Sequence, residues 1–179
     1  ARRAADLTRQ MLAYSGKGRF VVKAMDLSEL VEENTHLFRA SVARTAELNI
    51  RLDRSLPNIE ADAGQVQQVI MNLITNASEA IGDKAGVITI TTGVQDCDAR
   101  CLKRSRIDDV PEAGRFVFLE VSDNGCGMDE QTQQQLFDPF FTTKAMGRGL
   151  GMSAILGIVR GHRGAIFVDS ATGRGTTIR

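Results

Sequence analysis

Asn72-Leu73-Ile74-Thr75-Asn76-Ala77-Ser78-Glu79-Ala80 lies within the stretch that decides the fold. Around it, Val66, Val69, Ile70, Leu73, Ala77, Ala80 and Ile81 recur at helical spacing and predict a helix from about Gly64 to Ile81. Gln68, Asn72, Asn76, Glu79 and Asp83 recur at intervals of 4, 4, 3 and 4 as a second, polar stripe. At about 100° per residue that stripe sits roughly 120° from the centre of the apolar one, at the edge of the core. Asparagines are poor mid-helix residues because their amides compete with the backbone for hydrogen bonds. The stripe is therefore either a solvated face or the wall of a polar pocket, in which an amide oxygen can ligate Mg²⁺. Spacing alone leaves both open.

Outward from this helix, strands and helices interleave. A helix is expected from an N-cap at Asp26 or Ser28, with Leu27, Leu30, Val31, Leu37 and Phe38 facing inward. Short strands are expected at residues 49–52 and 59–61, around the Pro57 turn. Residues 87–94 alternate as a half-buried strand does, and residues 116–121 form another. The polar stretch 95–114 reads as a loop between them. Residues 152–159 are apolar all round and predict a buried helix, followed by strands at 165–168 and 176–178. The expected fold class is α+β, a two-layer sandwich with a mixed sheet of about five strands covered on one face by three helices.

Composition narrows the function. Lys plus Arg equals Asp plus Glu at 22 each, so the net charge of zero gives no bulk electrostatic footprint for nucleic acid or an acidic membrane. No apolar run approaches the roughly 20 residues of a membrane span, and the start of the chain lacks a signal-peptide pattern. Three cysteines are too few for a disulfide framework, and Cys97 and Cys101 have no second ligand pair for zinc. Reduced thiols in a cytosolic compartment are expected. Residues 1–20 carry five basic side chains against Asp6 alone, and Ala4, Leu7, Met11 and Tyr14 trace a short helical stripe. Such a stripe needs a partner helix, whereas a frayed end needs none. The chain reads as a piece of something longer.

Three glycine-bearing or aromatic segments complete the set. Asp123-Asn124-Gly125-Cys126-Gly127-Met128 follows a strand, where glycines permit close approach of a flat ligand and Asp123 can accept from an exocyclic amine. Gly147-Arg148-Gly149-Leu150-Gly151 opens the apolar helix, a setting in which backbone N–H groups and the helix dipole favour an anion. Its spacing matches neither the Rossmann fingerprint nor the P-loop. Between them, Phe137-Asp138-Pro139-Phe140-Phe141-Thr142-Thr143-Lys144 reads as a lid pinned by aromatics, offering Lys144 and Arg148 to phosphates. An ordinary turn and a glycine hinge explain the first two segments equally well in isolation.

Their order is more specific. NLITNASEA, DNGCGM, FDPFFTTK and GRGLGMS in succession resemble the N, G1, F and G2 boxes of sensor histidine kinases, over roughly residues 26–179. That family's catalytic domain has the Bergerat fold, shared with heat-shock chaperone and mismatch-repair ATPases. Residues 7–19 resemble the end of the dimerisation helix that precedes the domain, which assigns residues 1–20 to a severed helical hairpin and 21–179 to the ATP-binding domain.

The resemblance implies ATP and Mg²⁺ as cofactors. Asp123 would bind the adenine amino group beside Gly125 and Gly127, and Thr176 matches a threonine near the base. Asn76 would hold Mg²⁺ and Asn72 would lie beside the phosphates. Gly147, Gly149, Leu150 and Gly151 would wrap the phosphates under a lid spanning about residues 128–148. Lys144 is expected to assist catalysis, and Arg148 stands where the family usually has a small residue.

In hydrolytic branches of the superfamily a glutamate one turn before the metal-binding asparagine activates water. Here that position is Asn72, which cannot take a proton, and Glu79 is displaced from it by roughly 10 Å along the helix. Phosphoryl transfer to a histidine on the hairpin is therefore expected, with onward relay to a response-regulator aspartate. His36 and His162 lack the acceptor context, so the chain is expected to bind Mg-ATP without phosphorylating itself. The implied parent is a homodimer acting in the cytoplasm, with no nucleic-acid or membrane contact from this part. Two alternatives remain, a related ATPase or anti-sigma-factor-like serine kinase and a degenerate nucleotide sensor.

Overall fold

The expected helix around Asn72 and Asn76 forms the spine of the molecule. In the computed structural model, which describes residues 21–109, 111–144 and 149–179, it runs over Ala63–Ile81. Asp62 caps its start by accepting from the Gln65 N–H at 3.1 Å, and Gly82 ends it with φ of 65°. Val69, Ile70, Leu73, Ile74, Ala77 and Ile81 are buried on its inner face, with Ile74 added to the expected set. Val66 and Ala80 are only partly buried.

The chain first forms β1 (Lys23–Met25), then α1 (Leu27–Glu33) and α2 (Thr35–Ala40). The sequence predicts a single helix here. It breaks because the Asn34 amide donates to the Leu30 carbonyl at 2.8 Å while its own backbone sits at φ −96° and ψ 5°. The break turns Leu37 outward, 41% exposed, and leaves Phe38 fully buried. Next come β2 (Ala46–Arg51), β3 (Ile59–Ala61) and the spine helix, α3.

β4 (Gly86–Cys97) and β5 (Gly114–Asp123) form a longer antiparallel pair than the sequence suggests. The stretch between them is more than a loop. Asp98 caps a one-turn helix α4 (Ala99–Leu102), and Leu102 and Ile107 are buried. That turn brings Cys97 and Cys101 to a Cα–Cα distance of 5.4 Å, and they form a disulfide, contrary to the expected reduced thiols. Cys126 is free and exposed.

α5 (Glu130–Gln135) occupies the glutamine-rich stretch, and α6 (Gly151–Gly161) is the expected buried helix. β6 (Val168–Ala171) and β7 (Gly175–Ile178) close the sheet. β6 starts later than expected because the Ile166 N–H and carbonyl bond instead to Ser105 Oγ and the Arg106 N–H, at 3.2 and 2.8 Å.

The main sheet has the order β2-β4-β5-β7-β6, with β2 parallel to β4 and the other pairs antiparallel. β1 and β3 form a separate two-stranded sheet. Ile88 and Ile90 of β4, Val121 of β5 and Ile178 of β7 meet Val31, Phe38, the inner face of α3, and Ile155 and Ile158 of α6 in one core. On the opposite sheet face, Ser122 and Thr177 share a 2.8 Å hydrogen bond, and Arg179 lies over the Phe118 ring while bonding Glu120. The α+β sandwich is thus as expected. No helix among the described residues is long and apolar enough to cross a membrane. The expected helical stripe of Ala4, Leu7, Met11 and Tyr14 and the basic excess of residues 1–20 lie outside the described residues.

Candidate functional site

Asp123 ends β5, paired in register with Thr176 on β7. Its Oδ1 accepts from the Gly125 N–H at 2.8 Å. Burial pushes the carboxyl above the ordinary carboxylate range, against the opposing pull of the Gly125 and Thr176 N–H groups. The following turn is tied down on both sides. The Cys126 N–H reaches the Ala80 carbonyl at 3.0 Å, and the Gly173 N–H reaches the Cys126 carbonyl at 2.7 Å. Gly125 passes so close to α3 that a Cβ there would stand 2.7 Å from the Ala80 carbonyl. The glycines of this turn therefore let β5, α3 and the β6–β7 hairpin converge on one wall.

Asn72 and Asn76 face the start of α6. The Asn72 Nδ2 donates to the Gly151 carbonyl at 3.3 Å, and the Asn76 Nδ2 contacts Met152 Sδ at 3.1 Å. With its amide nitrogen so engaged, Asn76 directs Oδ1 away from α6. There Lys144 Nζ donates to it at 3.2 Å and also pairs with Glu79. Leu150 caps α6 with no side-chain hydrogen bond, leaving first-turn N–H groups without an intrahelical acceptor. Gly149 adopts φ of 64°, and its carbonyl accepts from the Phe140 N–H at 2.9 Å. Asn72 and Asn76 of the polar stripe thus face α6 and Lys144, while Glu79 beside them is exposed.

The structure brings Asn72, Asn76, Lys144, Leu150 and Gly151 together around α3 and α6, and places Asp123, Gly125, Gly127 and Thr176 at the β5–β7 end. Gly147 and Arg148 lie outside the described residues. The aromatics of the expected lid divide: Phe137 packs against the core, whereas Phe140 is 66% exposed with φ of 68°. Sequence reasoning missed Glu79 as the partner of Lys144. The available signal was its position three residues after Asn76, where helix geometry makes the two side chains neighbours.

His162 sits apart. Its Nδ1 bonds the Ile158 carbonyl at 2.8 Å and its Nε2 accepts from the Asp62 N–H at 3.0 Å, so both ring nitrogens are in structural contacts.

Comparison with known proteins identifies the family of this fold. Residues 61–179 match the family described as histidine kinase-, DNA gyrase B-, and HSP90-like ATPase. Sensor kinase CckA of Brucella abortus is 37% identical over 181 residues, covering all of this chain and 19% of that protein. The chain thus spans about a fifth of that relative. The catalytic domain of histidine kinase ThkA, in a nucleotide-free form, superposes with a TM-score of 0.65 at 26% identity, covering 88% of this chain and 91% of that one. ThkA in complex with the response regulator TrrA gives a TM-score of 0.67 at 24% identity, over 99% of this chain and 46% of that one. The chain belongs to the histidine kinase-, gyrase B- and HSP90-like ATPase family, as an ATP-binding catalytic domain homologous to those of sensor histidine kinases.

Proposed function

We propose that this domain binds Mg-ATP between α3 and α6 and presents the γ-phosphate to a histidine on a separate dimerisation hairpin, for relay to a response regulator. One observation carries the reading: a lysine ammonium stands on Asn76 Oδ1 while the position one turn earlier holds Asn72, which accepts no proton. Read as a stand-in cation, the ammonium supports this oxygen as the holder of a positive ligand. The described residues contain no cluster of three or more His, Cys, Asp or Glu. A single amide oxygen suits Mg²⁺, which keeps several waters and takes its other contacts from phosphate oxygens.

In this reading Asp123 accepts from the adenine amino group, with Thr176 beside it and Gly125 and Gly127 shaping the wall. Asn72 fixes the start of α6 against α3, so the N–H groups at Leu150 and Gly151 face the phosphates. Asn76 holds the metal, and Lys144 neutralises phosphate charge. When bound, Mg²⁺ supplies charge neutralisation at the transferring phosphoryl group. Positioning and electrostatics carry most of the catalysis in such transfers, and no water-activating carboxylate is required.

Supply of a histidine-bearing hairpin in trans, with γ-labelled ATP, tests the proposal. Label should appear on the hairpin and not on this chain, whose His162 is held in structural bonds. Steady ATP hydrolysis without transfer would favour the ATPase reading, and stoichiometric phosphohistidine on this chain alone would contradict the proposal. The partner is further supported by ThkA, which resembles this fold and was solved with a response regulator.

A further inference from the structure

Glu79 lies outside the residues that the family resemblance assigns, yet it is the charged partner of the lysine on Asn76. Asn76 and Glu79 both belong to α3, three residues apart, and so share one surface of a rigid 19-residue helix. The Asn76 amide is oriented by Met152, which leaves its oxygen for a cation. An amide oxygen alone is a weak hold for a half-exposed ammonium. Glu79 adds the charge that fixes Lys144 there.

We propose that Glu79 is the positioning residue for Lys144, keeping its ammonium on Asn76 Oδ1 as a surrogate cation that the metal of an incoming Mg-nucleotide must displace. This rests on the Mg-nucleotide reading given above. A divalent ion and an ammonium on the same oxygen repel strongly, because the interaction scales with the product of the charges at a separation of a few ångströms. Metal entry therefore expels Lys144 from Asn76. The lysine stem is long and flexible and its head is a point charge, so it can swing to a phosphate while Glu79 limits how far it strays. The contact is also easily broken, since an ion pair with half-exposed partners is weak. Glu79 thereby sets how much Mg²⁺ the site needs. A merely decorative surface pair would have no such effect.

The test titrates MgCl₂ into the chain with a fluorescent N-methylanthraniloyl-ADP and reads the Mg²⁺ concentration at half-maximal binding. Wild type, Glu79→Gln, Lys144→Met and the double variant are compared. Glu79→Gln should lower the midpoint about threefold, the scale of one exposed ion pair. Lys144→Met should lower it too, because no ammonium remains to be displaced. Added to Lys144→Met, the Glu79→Gln substitution should give no further decrease. An equal shift from Glu79→Gln in both backgrounds would overturn the proposal, because Glu79 would then act without Lys144. So would a Lys144→Met protein that binds more weakly at an unchanged midpoint. If Glu79→Gln fails to fold, Glu79→Ala is measured in the same two backgrounds and read in the same way. Absence of analogue binding to the wild type at any Mg²⁺ concentration would instead overturn the nucleotide-site reading, and this proposal with it.

Discussion

The Asp123 carboxyl is half-buried at a strand end and bonded to only two backbone donors, so its charge costs the fold something in the absence of a ligand. Its pKa is raised in the folded state, which means that the folded form is favoured by protonation and loses that advantage as pH rises through the raised value. Asp123→Asn removes the burden. At pH 7 the nucleotide-free variant should melt at or above the wild type, and the difference should shrink as pH falls through the carboxylate range. Thermal melts between about pH 3.5 and 7.5 check this. The same substitution should reduce nucleotide affinity by about 10-fold or more, on the scale of about 1.5–3 kcal/mol for a hydrogen bond to a charged group. A residue that costs stability and, in the proposed reading, serves binding is what a functional position is expected to look like. The aspartate was legible from its place before two glycines. Its burial was not, because no local pattern states how deeply a strand end sits.

At the scale of elements, the spine helix was readable because its apolar period runs through nineteen residues between an Asp cap and a Gly stop. The helix before it was harder. Its period continues across Asn34, and only the side-chain bond to the Leu30 carbonyl reveals the break. Ser28 shows the same limit. Asp26 and Ser28 both read as possible caps; Asp26 is the cap, and Ser28 is 3% exposed. Its hydroxyl bonds Thr92 and the Asp53 carbonyl, each at 2.7 Å, joining α1 to β4. Ser28→Ala should therefore cost about 1–3 kcal/mol, the penalty for leaving buried polar partners unsatisfied, measurable by urea unfolding. Gly125→Ala should cost a similar amount, about 1–3 kcal/mol, by forcing a Cβ against the Ala80 carbonyl. It should also weaken nucleotide binding, because the turn after Asp123 must shift with it. An unchanged melting temperature for Gly125→Ala would contradict that close approach.

Across the whole molecule, the order of four motifs made the fold class legible and pointed to one candidate site, while the stretch between β4 and β5 stayed opaque. That stretch is polar in composition, but Leu102 and Ile107 anchor it and Cys97 pairs with Cys101. Two isolated apolar residues and one C-x3-C spacing give no periodic signal, so only the packing identifies them. The Lys144–Glu79–Asn76 cluster was equally hidden, since 65 and 68 residues separate the lysine from its two partners in sequence. In the proposed reading, β5, β7 and α3 form a wall for one flat ligand, and the adjoining junction of α3 and α6 takes the metal and the phosphates. The most direct test of that account is calorimetric titration of the chain with ADP and a non-hydrolysable ATP analogue, with and without Mg²⁺, beside Asp123→Asn. The account predicts Mg²⁺-dependent binding to the wild type that collapses in the variant. Equal binding to both proteins, or none to the wild type, would contradict it.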